Sequence, residues 1–157
     1  MRLRFLLLAA SGLLAPSPSH GASFDRIGEL VSGGTSFASA VSADGTVVVG
    51  DSVGQATVWT RTGGLEALPL PPAWTFAWSR ANAISPDGST IVGVGSAAAS
   101  PQRLLPIVWR RVAGAYEVAT LAELIDLAAD STTPFRVSLI DVSADGAAVL
   151  GNRDLAT

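Results

Sequence analysis

The chain has 157 residues, enough for one ordinary domain, with 10 basic and 13 acidic residues and a formal net charge of −3. It has no Cys, and its single His is His20, so the chain beyond that point supplies neither thiolate nor imidazole. Disulfides, Ser-His-Asp and Cys-His catalysis, and Cys/His metal sites are thereby excluded from the body of the protein.

Residues 1–22 read as a secretory signal peptide. Arg2 and Arg4 form a positive start, Phe5–Leu14 an apolar core, and Pro16–Gly21 a polar exit. Small residues stand at the cleavage positions: Ser19 and Gly21, or Ala22. The apolar core is too short to cross a bilayer, and no Cys follows to carry a lipid. Removal of this segment leaves eight Arg, no Lys and 13 acidic residues, a net charge of −5. Such a surface argues against nucleic acid and anionic lipid. The expected location is extracellular or periplasmic, with no membrane span after signal removal.

Ser23–Leu30 reads as a strand or extended arm, and Val31–Ser39 as a Gly/Ser turn. Ala40–Gly50 (AVSADGTVVVG) follows, and it organises the rest of the chain. It returns as Ala83–Gly93 (AISPDGSTIVG) and as Asp141–Gly151 (DVSADGAAVLG). Asp-Gly between two apolar runs is a strong hairpin signal, because Gly accepts positive φ and Asp bonds its own downstream backbone. Ser42, Asp44 and Gly45, with Ser85, Asp87 and Gly88 and with Ser143, Asp145 and Gly146, are therefore assigned to structural turns. Three copies make this a repeat protein.

After the first copy, Asp51–Gly54 reads as a polar turn, Ala56–Thr60 as a strand anchored by Trp59, Arg61–Gly64 as a turn, and Leu65–Leu70 as a strand. The second unit runs through Trp74–Arg80, its hairpin, a loop at Gly95–Pro106, and Ile107–Arg110. Trp109 there takes the place of Trp59, and both are expected in the core. Asp44 and Asp87 are 43 residues apart, Asp87 and Asp145 58 residues, the difference falling in loops on either side of Trp109. Thr120-Leu-Ala-Glu123 has the capping-box form, and the spacing of Leu121, Leu124, Ile125 and Ala128 predicts a short helix over 121–129. Phe135–Ser143 returns to strand.

The expected fold is all-β: a β-propeller-like repeat of about three four-stranded units in a domain over 23–157. The units span about 24–66, 67–117 and 118–157, the last of them incomplete. Closed propellers need about four blades or more, so either copies associate into a ring or the chain is a truncated member of a longer family. The third unit breaks off where its Trp-bearing strand should begin, and truncation is the expectation.

These residues resemble the extracellular HAF-repeat proteins. That repeat joins a Ser-x-Asp-Gly hairpin to a strand written roughly His-Ala-Phe-Leu-Trp-Thr, then Gly-Gly-Leu. Here Gln55-Ala56-Thr57-Val58-Trp59-Thr60 stands in that place, followed by Gly63-Gly64-Leu65. Ala56, Trp59 and Thr60 match; Gln55 replaces the His and Thr57 the Phe. In the second unit, Leu105-Pro106-Ile107-Val108-Trp109 keeps only the Trp. Ser85-Pro86-Asp87-Gly88 is equally similar to the repeats of TolB-like propellers. The resemblance covers most of residues 24–151 and implies a β-propeller-like fold and secretion, with no agreed activity.

Four features bear on chemistry. Gly50-Asp51-Ser52-Val53-Gly54 matches G-x-S-x-G, but that elbow needs a following helix and a His, so Ser52 is assigned to a hairpin turn. Asp44, Asp87 and Asp145 form a repeated carboxylate set of the kind that can hold a hard cation, but each is better used inside its own turn. Asp25, Glu29, Asp51, Glu66, Glu117, Glu123 and Asp126 supply carboxylates without a distinctive catalytic pair. Trp74, Phe76 and Trp78 alternate, so a strand would place them on one face, to pack between units or to meet a ligand such as a sugar ring. No catalytic residue, metal site or cofactor is assigned. The reading is a non-enzymatic secreted module whose partner is a surface ligand (carbohydrate or protein) or a second copy of itself. A carbohydrate-active enzyme or a self-assembling surface protein is the alternative.

Overall fold

The computed structural model describes residues 26–72, 77–97, 104–120 and 135–155. The signal segment, Trp74, Phe76 and the helix expected over 121–129 lie outside the described residues. Within them the protein is all-β, and its sheets are small and antiparallel.

The first sheet contains β1 (Ser36–Val41), β2 (Val47–Ser52), β3 (Gln55–Thr60) and β4 (Gly64–Ala67), paired in chain order. The second contains β5 (Ala77–Ile84), β6 (Thr90–Ala97), β7 (Leu105–Val112) and β8 (Ala115–Thr120), again in chain order. The third pairs β9 (Phe135–Val142) with β10 (Val149–Leu155). Each Ser-x-Asp-Gly copy joins the first two strands of its sheet.

Several strand boundaries differ from expectation. β1 begins at Ser36, inside the expected Gly/Ser turn, and the expected loop over Gly95–Pro106 holds the end of β6 at Ala97 and the start of β7 at Leu105. Asp51 and Ser52 complete β2, and the turn is only Val53-Gly54, both with positive φ (46° and 79°), the geometry of a tight two-residue hairpin. β4 ends at Ala67, although the Leu68 amide still donates to the Ala56 carbonyl (2.8 Å). β8 was not anticipated. It pairs with β7 through another two-residue turn, Ala113-Gly114, with φ of 49° and 93°.

The Gly that closes each copy answers to a bulge in the partner strand. The pairing register slips at Ser39 in β1, at Asn82 in β5 and at Ile140 in β9, each time beside Gly50, Gly93 or Gly151. A bulge bends the strand and brings its backbone close. A Cβ on Gly50 would land on the Phe37 carbonyl oxygen, and one on Gly93 on the Arg80 carbonyl oxygen. Only hydrogen fits there.

The sheets stack in chain order, and the second is covered on both faces. β5 lies against β1, β2 and β3, and β9 against β5, β6 and β7. Strand alternation sends neighbouring side chains to opposite faces. Ile91, Ile107 and Trp109 accordingly join Val47, Val49, Ala56, Val58 and Leu68 in one core between the first and second sheets. Val92 and Val108 point the other way and join Leu139 and Val142 between the second and third.

The two Trp at equivalent positions have different fates. Trp109 is fully buried, its indole Nε1 donating to the Pro69 carbonyl (2.8 Å). Trp59, expected in the core, is partly exposed. It sits on the face of the first sheet turned away from the second, with Val48 and Leu65 as its cross-strand partners.

Candidate functional site

The three Ser-x-Asp-Gly turns are alike to within about 0.1 Å in their hydrogen bonds. Ser42, Ser85 and Ser143 each donate to the Asp two residues on, at 2.6 Å. That Asp Oδ1 also accepts the amide of Thr46, Ser89 or Ala147, at 3.0 Å. The Ser hydroxyl in turn accepts the amide of Val47 (3.0 Å), Thr90 (2.9 Å) or Ala148 (2.9 Å). Gly45, Gly88 and Gly146 close the turn with φ of 72°, 71° and 68°.

Bonds of this kind stabilise the charged carboxylate. The Ser hydroxyl first, and the downstream amide second, hold Asp44, Asp87 and Asp145 below the ordinary Asp value of 3.8. Oδ1 of each is thus engaged within its own turn, and Asp44 Oδ2 also accepts from the Thr46 hydroxyl (2.9 Å). Among the described residues, no three acidic side chains come together as a metal cluster.

The turns also join successive units. The Ala43 amide donates to the Pro86 carbonyl (2.9 Å), and Gly88 packs against Ser42 and Val47. Gly146 packs in the same way against Thr90 of the second unit.

Ser52 is fully buried at the end of β2. Its hydroxyl donates to the Thr35 carbonyl (3.2 Å) and accepts from the Leu30 amide (3.1 Å) and the Ser36 hydroxyl (2.9 Å). A serine so placed is a structural bridge to the arm preceding β1. The neighbouring Asp51, also buried, accepts from Arg80 Nε at 2.8 Å across the first and second sheets.

Of the three alternating aromatics, Trp78 alone is described. It is partly exposed at the start of β5, its ring beside the Val53-Gly54 turn, with the Arg80 guanidinium 5.9 Å from the ring centre. Asp51, Arg80 and Trp78 therefore form one chain of contacts, ion pair to cation–π, along the edge where the first two sheets meet. In the sequence alone Asp51 has no distinctive partner; the partner comes from 29 residues away on another sheet, where no local pattern could announce it.

A cleft of about 310 Å³ opens between the same two sheets at the opposite end of the β2–β3 hairpin, by Val47 and Thr60. Val47, Val58 and Leu68 contribute to its wall, with the exposed Glu66 and Arg111 and the phenol of Tyr116. Tyr116 donates to the Gly88 carbonyl at 2.7 Å. Burial raises its phenol above the ordinary value of 10.0, with Arg111 opposing and Asp87 adding. Its proton stays engaged in the turn.

No helix among the described residues is long and apolar enough to cross a membrane. No protein-family model, curated protein or solved structure matches the chain.

Proposed function

We propose that this chain is a secreted or cell-surface β-repeat module with a propeller-like arrangement, acting by binding or by building structure rather than by catalysis. The observation that carries the reading is the way its polar groups are used. The repeated Asp are bonded within their turns, Asp51 is bonded to Arg80, and Ser52 is enclosed by backbone and hydroxyl partners. With His and Cys absent beyond residue 20, a nucleophile or proton donor would be drawn from carboxylates and hydroxyls, and the most regularly placed of these are already bonded.

Successive small sheets, each with its first strand on the sheet before it, support the propeller-like arrangement, since blades of a propeller meet in this way. The binding surface proposed is the edge carrying Trp78 and Arg80, where a partly exposed aromatic ring and the half-exposed guanidinium of the Asp51–Arg80 pair suit a sugar ring or a protein loop.

The test is a glycan and protein array probed with the exported chain and with Trp78→Ala. Retention of a ligand class by the wild type and its loss in the variant supports the reading. Turnover on a glycan panel that disappears on replacement of an Asp or Glu overturns it in favour of a carbohydrate-active enzyme.

A further inference from the structure

The two contacts between sheets use equivalent positions. Alignment of the three copies places Val41, Ile84 and Val142 at one site, just before Ser-x-Asp-Gly, and Val49, Val92 and Leu150 at another, just before the closing Gly. Ile84 of the second sheet shares a core with Val49 of the first. Val142 of the third shares a core with Val92 of the second. The first site thus faces the sheet before, and the second faces the sheet after.

Among the described residues, one member of each set has no sheet to face. Val41 is 56% exposed on the first sheet, and Leu150 is 59% exposed on the third. Their surroundings follow the same logic. Trp59 and Val48 occupy the positions of Trp109 and Ile91, which are fully buried because the first sheet covers them. Phe37 stands where Arg80 reaches back to the preceding sheet, and is 57% exposed. On the third sheet, Ile140 takes the bulge position of Asn82, whose side-chain amide crosses to the Leu139 carbonyl at 2.6 Å; Ile140 is 41% exposed. Asp141, at the place of Ala83, turns back on the Val142 amide (2.8 Å).

The two uncovered faces are therefore the two halves of an interface the molecule already makes twice within itself. We propose that a second copy of this chain docks head to tail, the third sheet of one protomer covering the first sheet of the other, with Leu150 against Val41. The contact is heterologous, so its rotation decides between a ring and a filament. Two copies supply about six sheets, within the range of about four to eight that closes a propeller. The ring form rests on the propeller-like reading; the docking does not.

The test is light scattering after size exclusion on the exported chain across a wide concentration range, with circular dichroism as the check on folding. The wild type is expected to double its mass or more. Val41→Arg and Leu150→Arg, both at exposed positions, should each be folded and monomeric. An equimolar mixture of the two variants retains one intact interface and should recover the dimer. A wild type monomeric at every concentration overturns the proposal. So does self-association by Leu150→Arg alone, or a mixture that stays monomeric. Small-angle scattering of the assembly then separates the two readings: a straight stack refutes the propeller-like arrangement and leaves the docking intact, whereas a closed ring supports both.

Discussion

Ser85 illustrates how much one hydroxyl holds. It is fully buried, donates to Asp87 and accepts the Thr90 amide, so its removal leaves a buried amide without a partner. Ser85→Ala is expected to lower stability by about 1–3 kcal/mol, as for other orphaned buried donors. Ser143 makes the same bonds at a partly exposed site, where water can replace the hydroxyl, and Ser143→Ala should fall at or below about 1 kcal/mol. Urea unfolding of the two variants makes the comparison. The Asp partners carry a pH dependence. Their folded-state values are depressed, so the stability they contribute is complete above the ordinary value of 3.8, declines below it, and is gone once pH has fallen through the folded-state values. Thermal melts between neutral and acid pH should therefore show a smaller acid slope when Asp44, Asp87 and Asp145 are all replaced by Asn, which keeps a turn-compatible side chain. An unchanged slope would locate the acid sensitivity elsewhere.

At the scale of the strand pair, the bulges make the sharpest prediction. Gly93→Ala should cost about 3 kcal/mol or more, above the usual range of about 1–3 for overpacking, because the added carbon meets backbone rather than a movable side chain. Chemical denaturation of this variant beside Gly63→Ala, which lacks a positive φ and whose added carbon meets only the Thr60 and Glu66 side chains, separates the backbone clash from the loss of Gly itself. The Ser-x-Asp-Gly turns were legible in the sequence because every bond in them lies within five residues. The reason for the closing Gly was not, since it resides in a register slip on the opposite strand. β8 escaped notice because its turn is Ala-Gly, with Ala113 in a left-handed conformation that Asn or Gly more often takes. The Asp51–Arg80–Trp78 chain was hidden for a different reason: its members meet only after two sheets have packed.

For the molecule as a whole, the repeat told the three units and the hairpin that opens each, but not β8 nor which faces would be covered. Trp59 and Trp109 have the same local context, and burial separates them because one has a sheet in front of it and the other does not. Among the described residues, only the second sheet has a core on both sides. This placement has a consequence for motion. An amide exchanges with solvent deuterium when its hydrogen bond opens, and the opening that frees β6 or β7 must disrupt both cores at once. Those strands should exchange only through global unfolding. β10, in a two-stranded ribbon with one covered face, should open locally and lose its protons first. Docking of a second copy would then register as slowed exchange at both ends of the chain, in β1 and β10 together.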